Sequence, residues 1–133
     1  ERRKHEIRQY FMVDDLNFLK RGGRLSSSAA MAGSIMHLKP ILKGDEEGRI
    51  VLDRKLFGRK KAINTLIEIF KQEHVDKPEN NKIGISHTGV EDEAHLLAAE
   101  IIDRYPNIKA EIVPFEPCTS SHVGPGALGL FFF

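Results

Sequence analysis

Cysteine and tryptophan are scarce in this sequence, which has one cysteine, Cys118, and no tryptophan. A single cysteine cannot form an internal disulfide, and it cannot supply a cluster of thiolates to a metal ion. This cysteine usage is typical of a protein from a reducing compartment. We therefore expect a cytoplasmic protein.

Excess charge and long hydrophobic runs are also missing. Twenty Lys and Arg residues balance nineteen Asp and Glu residues, which leaves a formal net charge of +1. Such a chain has no strong positive field with which to hold a nucleic-acid backbone, so nucleic-acid binding is not expected. The longest apolar run, 127–133, is far shorter than the roughly 20 residues of a membrane helix, so we expect no stable membrane insertion.

The composition that remains is that of an ordinary globular domain. The chain has 133 residues, of which 41% are hydrophobic and 29% are charged. This length and balance predict a single domain, 1–133, with a substantial core. The chain starts at Glu1 rather than at Met, and a charged run follows, so we expect it to be a piece of a longer protein.

Hydrophobic periodicity predicts an alternation of strands and helices. Strands are predicted at 10–13, 39–42, 49–56, 83–85 and 108–113, and helices at 16–20, 26–38, 59–74 and from a T-x-x-E capping box at 88–91 to Pro106. The second and third strands form a hairpin, and the last two strands flank a helix as a parallel crossover unit. The predicted fold is therefore α/β, a two-layer domain with a mixed sheet covered by helices.

Three glycines near the end of the chain, Gly124, Gly126 and Gly129, spell G-x-G-x-x-G. This pattern binds dinucleotides when a strand precedes it, a helix follows it and an acidic residue comes about 20 positions later. The chain ends four residues after the last glycine, so there is no room for that helix or that acid. The sequence disfavours a nucleotide site and predicts no cofactor.

His122 stands just before this glycine turn. A histidine there can bind a carboxylate or phosphate, or exchange a proton near neutral pH. The alternative is a loop histidine that only hydrogen-bonds the turn. Gly124 and Gly126 either adopt a positive φ or allow a ligand to approach closely.

Arg24 follows two glycines at the end of one predicted helix and precedes the serine-rich start of the next. A guanidinium beside the N–H groups of a helix N-terminus suits an anion. The alternative is an arginine that faces solvent at a helix end. The serines at 26–28 are better interpreted as helix caps than as nucleophiles, because no G-x-S-x-G surrounds them.

His87 is the other histidine of interest, because it ends a predicted strand just before a helix, where open α/β sheets usually bind ligands. A structural hydrogen bond to the Thr88 turn is the competing interpretation. The remaining histidines form no H-x-x-x-H pair with carboxylate support, so no metal site is predicted.

Two sequence blocks carry a resemblance to a known family. V-D-D-L-N-F-L-K-R-G-G-R-L-S at 13–26 and S-H-V-G-P-G-A-L-G-L at 121–130, with K-P-I-L, G-R-I and I-S-H between them in order, resemble the DegV family of bacterial fatty-acid-binding proteins. The likeness covers nearly the whole chain but corresponds only to the C-terminal domain of that family. We expect the family's N-terminal domain to be absent from this chain.

The resemblance implies a lipid-binding function. Family members of full length hold one long-chain fatty acid between two domains and present its carboxylate to a separate fatty acid kinase, without being enzymes themselves. The resemblance places Arg24 and His122 near the headgroup of the fatty acid. We expect Ser121, Gly124, Gly126 and His87 to lie next to the ligand. Met31, Ile35, Met36 and Leu42 are predicted to line the acyl tunnel, with ordinary core packing as the alternative.

A competing function is an enzyme, a hydrolase or transferase that uses His122 as general base.

For either function, a domain that has lost its neighbour exposes an apolar patch, and such patches tend to associate. Self-association of the fragment is therefore expected.

Overall fold

A computed structural model describes residues 3–25 and 38–133. Its centre is one six-stranded sheet with the order β3-β2-β1-β6-β4-β5. The strands are β1 (Arg8–Met12), β2 (Ile41–Gly44), β3 (Ile50–Arg54), β4 (Lys82–His87), β5 (Lys109–Pro114) and β6 (Leu128–Phe132). β4 and β5 are parallel and the other neighbours are antiparallel, which confirms the predicted mixed sheet, hairpin and parallel pair.

Four α-helices are present within the described residues. They are α1 (Leu16–Arg21), α2 (Arg59–Glu73), α3 (Glu91–Arg104) and α4 (Pro117–Val123). Short 3-10 turns occupy Lys4–Glu6 and Pro78–Asn80. In the described part of the chain, no helix combines the length and the apolar character that a bilayer crossing requires.

The first face of the sheet is closed by α2 and α3. Alternate residues of a strand point to the same face, so Tyr10 and Met12 share this face with Leu128 and Leu130, their neighbours across the β1–β6 ladder. The helices contribute apolar residues spaced three and four apart, which form one stripe on each helix. The buried helix residues of this cluster are Ala62, Leu66, Ile67, Ile69, Phe70, Ala94, Leu97, Ala98 and Ile101.

The described residues cover the second face at one end. There α1, α4 and the segments next to them form a smaller buried cluster. Its buried members are Val13, Leu16, Leu19, Leu38, Leu42, Val123 and Ala127, with Phe11, Leu25, Ile50, Leu52 and Phe115 partly buried beside them. Leu25 and Leu38, which flank the undescribed residues, both belong to this cluster. The predicted helix at 26–38 lies outside the described residues except for Leu38.

The predicted capping box at the start of α3 is wrong. The N-cap residue is Val90, and the described residues show no side-chain capping hydrogen bond at this helix start. Thr88 is held elsewhere: its N–H donates to the carbonyl of Ala127, and its carbonyl accepts from the N–H of Gly126. Tertiary contacts of the Thr88 backbone thus override the local capping signal.

The Phe70 side chain is fully buried and packs edge-on against Phe132, with 5.0 Å between the ring centroids, so its removal should destabilise the fold strongly. Phe70→Ala should lower the free energy of unfolding by about 3–5 kcal/mol. Phe57→Ala is the matched control, because Phe57 is 57% exposed and should cost only about 0.5 kcal/mol. Urea unfolding followed by circular dichroism measures both, and similar losses would contradict this description of the core.

Candidate functional site

An open cleft of about 1270 Å³ lies over the uncovered part of the second sheet face. Phe11, Ser86, Val113 and Phe131, one from each of four strands, line it. They alternate along their strands with the residues buried under α2 and α3, so they point away from that core. At one end the cleft is bounded by Phe115, Glu116, Thr119 and Val123. The sheet therefore presents an apolar strip that leads to α4. The rest of the cleft wall is polar or charged, with Lys4, His5, Arg8, Lys43, Asp45 and Glu46 among its residues.

Helix α4 carries His122 in its last turn. Glu116 is the N-cap residue, and its carboxylate accepts from the N–H groups of Cys118 and Thr119 at 2.7 and 2.6 Å. These bonds lower the pKa of Glu116, with the hydrogen bond from the Thr119 side chain as the largest cause. His122 is thus a helix residue, and its interpretation as a loop histidine is wrong. The available signal was an acidic cap followed by Pro117 at the first helical position.

The segment 14–22 packs directly against the segment 122–126. A methyl group on Gly22 would overlap Nδ1 of His122 and come within 3.0 Å of its Cε1. A methyl on Gly124 would lie 2.6 Å from the Phe18 ring, and one on Gly126 would lie 2.6 Å from Oδ2 of Asp14. Residues 14, 18 and 22 of the first segment thus lie against residues 126, 124 and 122 of the second, in that order. Three glycines make this approach possible.

Gly124 and Gly126 also have a conformational reason to be glycine. Their φ values are 76° and 79°, in the region that residues with a Cβ rarely adopt. They follow helix α4 and precede strand β6, the reverse of the strand-to-helix order in a dinucleotide site. Their positive φ is the first of the two predicted roles.

Arg24 and His122 meet the same glycine. Nη1 of Arg24 donates to the carbonyl of Gly22 at 2.8 Å, and the ring of His122 lies against the α-carbon of Gly22. The structure therefore brings these two predicted headgroup residues to one corner, where α1 ends beside α4. Ser121 is exposed, and its hydroxyl donates to the carbonyl of Cys118 at 2.7 Å, within the helix.

The other predicted site residues are placed differently. His87 is only 7% exposed, follows Ile85 by two residues and so belongs to the first face rather than to the cleft floor. Among the described residues, its Nδ1 and the Thr88 hydroxyl find no hydrogen-bond partner, so the expected bond between the ring and the Thr88 turn is not seen through Nδ1. Leu42 is fully buried in the second-face cluster.

The remaining predicted tunnel residues, Met31, Ile35 and Met36, lie outside the described residues.

An ionic cluster that sequence reasoning missed lies on the other side of the glycine turn. Asp14 pairs with Lys39 and Arg59, each at 2.8 Å. Nε of Arg59 donates to both carboxylate oxygens of Glu93 at 2.9 and 2.7 Å. Arg59, at the start of α2, is therefore held by carboxylates of two other segments. Its partners are 45 and 34 residues away in sequence, so no local pattern indicates them.

The two cations decide the pKa of Asp14. Partial burial raises it, but hydrogen bonds and charge from Lys39 and Arg59 outweigh burial and hold it below the ordinary value of 3.8. Asp14 is therefore ionised at neutral pH. In the described part of the chain, no group of three or more His, Cys, Asp and Glu residues is arranged to hold a metal ion.

Gly22→Ala tests the contact between Gly22 and His122. Gly22 has φ −74°, which alanine adopts freely, so the effect should come from the overlap with the imidazole. We expect displaced His122 ring signals in NMR spectra and a loss of about 1–3 kcal/mol in stability. Gly44→Ala is the control, because no atom lies within 4 Å of its added methyl. Unchanged His122 signals in Gly22→Ala would contradict the packing.

Asp14→Asn tests the ionic cluster through its pH dependence. A carboxyl group whose folded pKa is depressed stabilises the fold above its unfolded pKa, and that contribution is lost as the pH falls through the folded pKa. The variant should be less stable than the parent at pH 7, and the difference should shrink below about pH 4. Urea unfolding across this range measures it, and a constant difference would rule out the ionised carboxylate as the cause.

Comparisons with known proteins place this domain in a wider group. Protein DegV of Bacillus subtilis is 39% identical over 130 residues, which cover 98% of this chain and 46% of that protein. The crystal structure of a fatty acid binding DegV family protein from Streptococcus agalactiae superposes with a TM-score of 0.85 at 35% identity, over 96% of this chain and 44% of the other.

A third match is to the fold alone. The Streptococcus pneumoniae Fatty Acid Kinase (Fak) B3 protein, loaded with linoleic acid, has a TM-score of 0.83 at 19% identity, over 95% of this chain and 44% of that one. The chain thus spans less than half the length of these relatives. The family model described as "Uncharacterised protein, DegV family" matches residues 1–133, and the chain therefore belongs to the DegV family.

Proposed function

We propose that this chain is the C-terminal, lipid-binding half of a two-domain fatty-acid carrier. The observation that carries the proposal is the apolar strip in the cleft on the second sheet face, together with the corner where Arg24 and His122 meet Gly22. A long-chain fatty acid has the same two parts, an apolar tail and one anionic end. The fatty acid binding described for the related Streptococcus agalactiae protein supports the same ligand.

The apolar tail supplies most of the affinity in this proposal. Burying about fifteen methylenes contributes on the order of 12 kcal/mol gross, at roughly 0.8 kcal/mol each. Phe11, Val113, Phe115 and Phe131 offer apolar surface in the cleft. The predicted tunnel residue Leu42 lies in the cluster beside it.

The headgroup corner determines the orientation of the ligand. A charge-assisted hydrogen bond contributes about 1.5–3 kcal/mol, far less than the tail. Arg24 and His122 would therefore decide which end of the lipid reaches the corner rather than whether the lipid binds. The carbonyl of Gly22 holds the guanidinium of Arg24 beside the imidazole, which suits recognition of a carboxylate.

The rest of the carrier lies outside this chain in the proposal. The cleft is open to solvent, and the relatives are more than twice as long as the matched region. A second domain over the cleft would exclude water from the tail. The carboxylate at the corner would then be presented to a fatty acid kinase, and the carrier itself would have no catalytic role.

Ligand content is the first test. Mass spectrometry of an organic extract of the intact two-domain protein should detect a long-chain fatty acid. The isolated chain should bind the same acid weakly or not at all, because half of the enclosure is missing. An intact protein that carries no acyl ligand and binds none on titration would refute the carrier function.

Substitutions at the corner form the second test. Arg24→Ala and His122→Ala in the intact protein should each weaken hexadecanoic acid binding by about 10-fold to 100-fold, with little change in hexadecanol binding, because the alcohol has no carboxylate. His95→Ala and Arg104→Ala are matched controls, since both residues lie on α3 away from the cleft. Equal losses for acid and alcohol would argue against a headgroup role.

The same variants test the enzyme alternative. Loss of turnover of an acyl ester in His122→Ala, with acid binding unchanged, would favour a hydrolase or transferase that uses His122 as base.

A further inference from the structure

Asp14 is held at the centre of several structural elements. Its Oδ1 accepts from Lys39, just before β2, and from Arg59, the first residue of α2. The backbone carbonyl of Asp14 also accepts from Nζ of Lys39 at 3.2 Å. Arg59 in turn is fixed by two hydrogen bonds to Glu93 on α3. The position of the Asp14 carboxylate is therefore tied to three other elements.

The other carboxylate oxygen of Asp14 faces the glycine turn. An ideal Cβ on Gly126 would lie 2.6 Å from Oδ2 and 2.9 Å from Cγ. From the opposite direction, the N–H of Gly126 donates to the carbonyl of Thr88 at 2.8 Å, and the next residue, Ala127, accepts from the N–H of Thr88 at 3.0 Å. Gly126 is thus confined between Asp14 and the end of β4.

Confinement of Gly126 limits where His122 can lie. Only three residues lie between the two positions. The middle one, Gly124, is pressed against the Phe18 ring and donates its N–H to the carbonyl of Ser120. If the turn moved away from Asp14, it would therefore displace the last turn of α4, which contains His122. The contact between His122 and Gly22 would change with it.

We propose that Asp14 is a positioning residue for the headgroup corner: by holding Gly126 in place, it sets the position of His122 and hence the preference for a carboxylate end. This inference rests on the proposed function and adds a residue that does not touch the ligand. Asp14 suits the role because a carboxylate accepts from both cations at once and is small enough for the gap beside Gly126. Asparagine has nearly the same size but lacks the charge that holds Lys39 and Arg59.

Binding of two probes that differ only at one end tests the proposal. In the intact two-domain protein, Asp14→Asn should lower the affinity for hexadecanoic acid by about 10-fold relative to the affinity for hexadecanol. The affinity for hexadecanol should stay within about 2-fold of that of the parent protein. The imidazole NMR signals of His122 should shift in the same variant. An acid-to-alcohol affinity ratio equal to that of the parent protein would overturn the role of Asp14.

Asp53→Asn is the matched control. Asp53 lies on the edge strand β3 and also pairs with one lysine and one arginine, Lys43 at 2.8 Å and Arg54 at 3.2 Å. It should leave the acid-to-alcohol ratio unchanged, and an equal change in it would assign the effect to general loss of ion pairs. If Asp14→Asn does not fold, Asp14→Glu keeps the charge but adds a methylene that the gap beside Gly126 does not accommodate. A parental ratio in Asp14→Glu would then overturn the proposal.

Ligand binding by the parent protein separates a failure of the carrier function from a failure of the proposed role of Asp14. If it binds neither hexadecanoic acid nor hexadecanol, the proposed function fails. If it prefers the acid and Asp14→Asn retains that preference, the carrier function stands and only the role of Asp14 is lost.

Discussion

The close packing of 14–22 against 122–126 is the constraint on which the rest of the site depends. It brings together segments about one hundred residues apart, and it is possible because Gly22, Gly124 and Gly126 have no side chains. A Cβ at any of these positions would overlap His122, Phe18 or Asp14. Protein interiors have little room for such overlap, so this contact determines where α1 ends relative to α4. Arg24 and His122 share a corner as a consequence.

The two faces of the sheet differ in how far the described helices cover them. The first face is buried by α2 and α3 and contains the largest side chains of the core, including Phe70 and Phe132. Within residues 3–25 and 38–133, the second face is buried near α1 and α4, and the cleft lies beyond them. A rigid, closed face thus supports an open one, which is a suitable arrangement for a surface that binds a long apolar molecule.

The charged residues stabilise this packing through ion pairs rather than create a strong electrostatic field around the domain. The formal net charge is +1, yet Asp14, Lys39, Arg59 and Glu93 form one connected cluster beyond the end of β1 and the start of β2. Opposite charges in contact contribute more when they are partly buried and form a network than as isolated surface pairs. The cluster ties the loop before α1 to β2, α2 and α3, next to the glycine turn.

The sequence by itself determined β1 to β5, the long helices and the family, because hydrophobic periodicity and the two motif blocks are local signals. It failed where a contact between distant residues competes with a local signal. The T-x-x-E pattern at 88–91 is not a capping box because the turn at 126–127 engages Thr88, and Arg59 is paired with residues far away in sequence. Helix α4 is too short to show periodicity. Only the tertiary structure decided that Gly22 touches His122 and that Asp14 touches Gly126, because those contacts depend on how two separate segments pack.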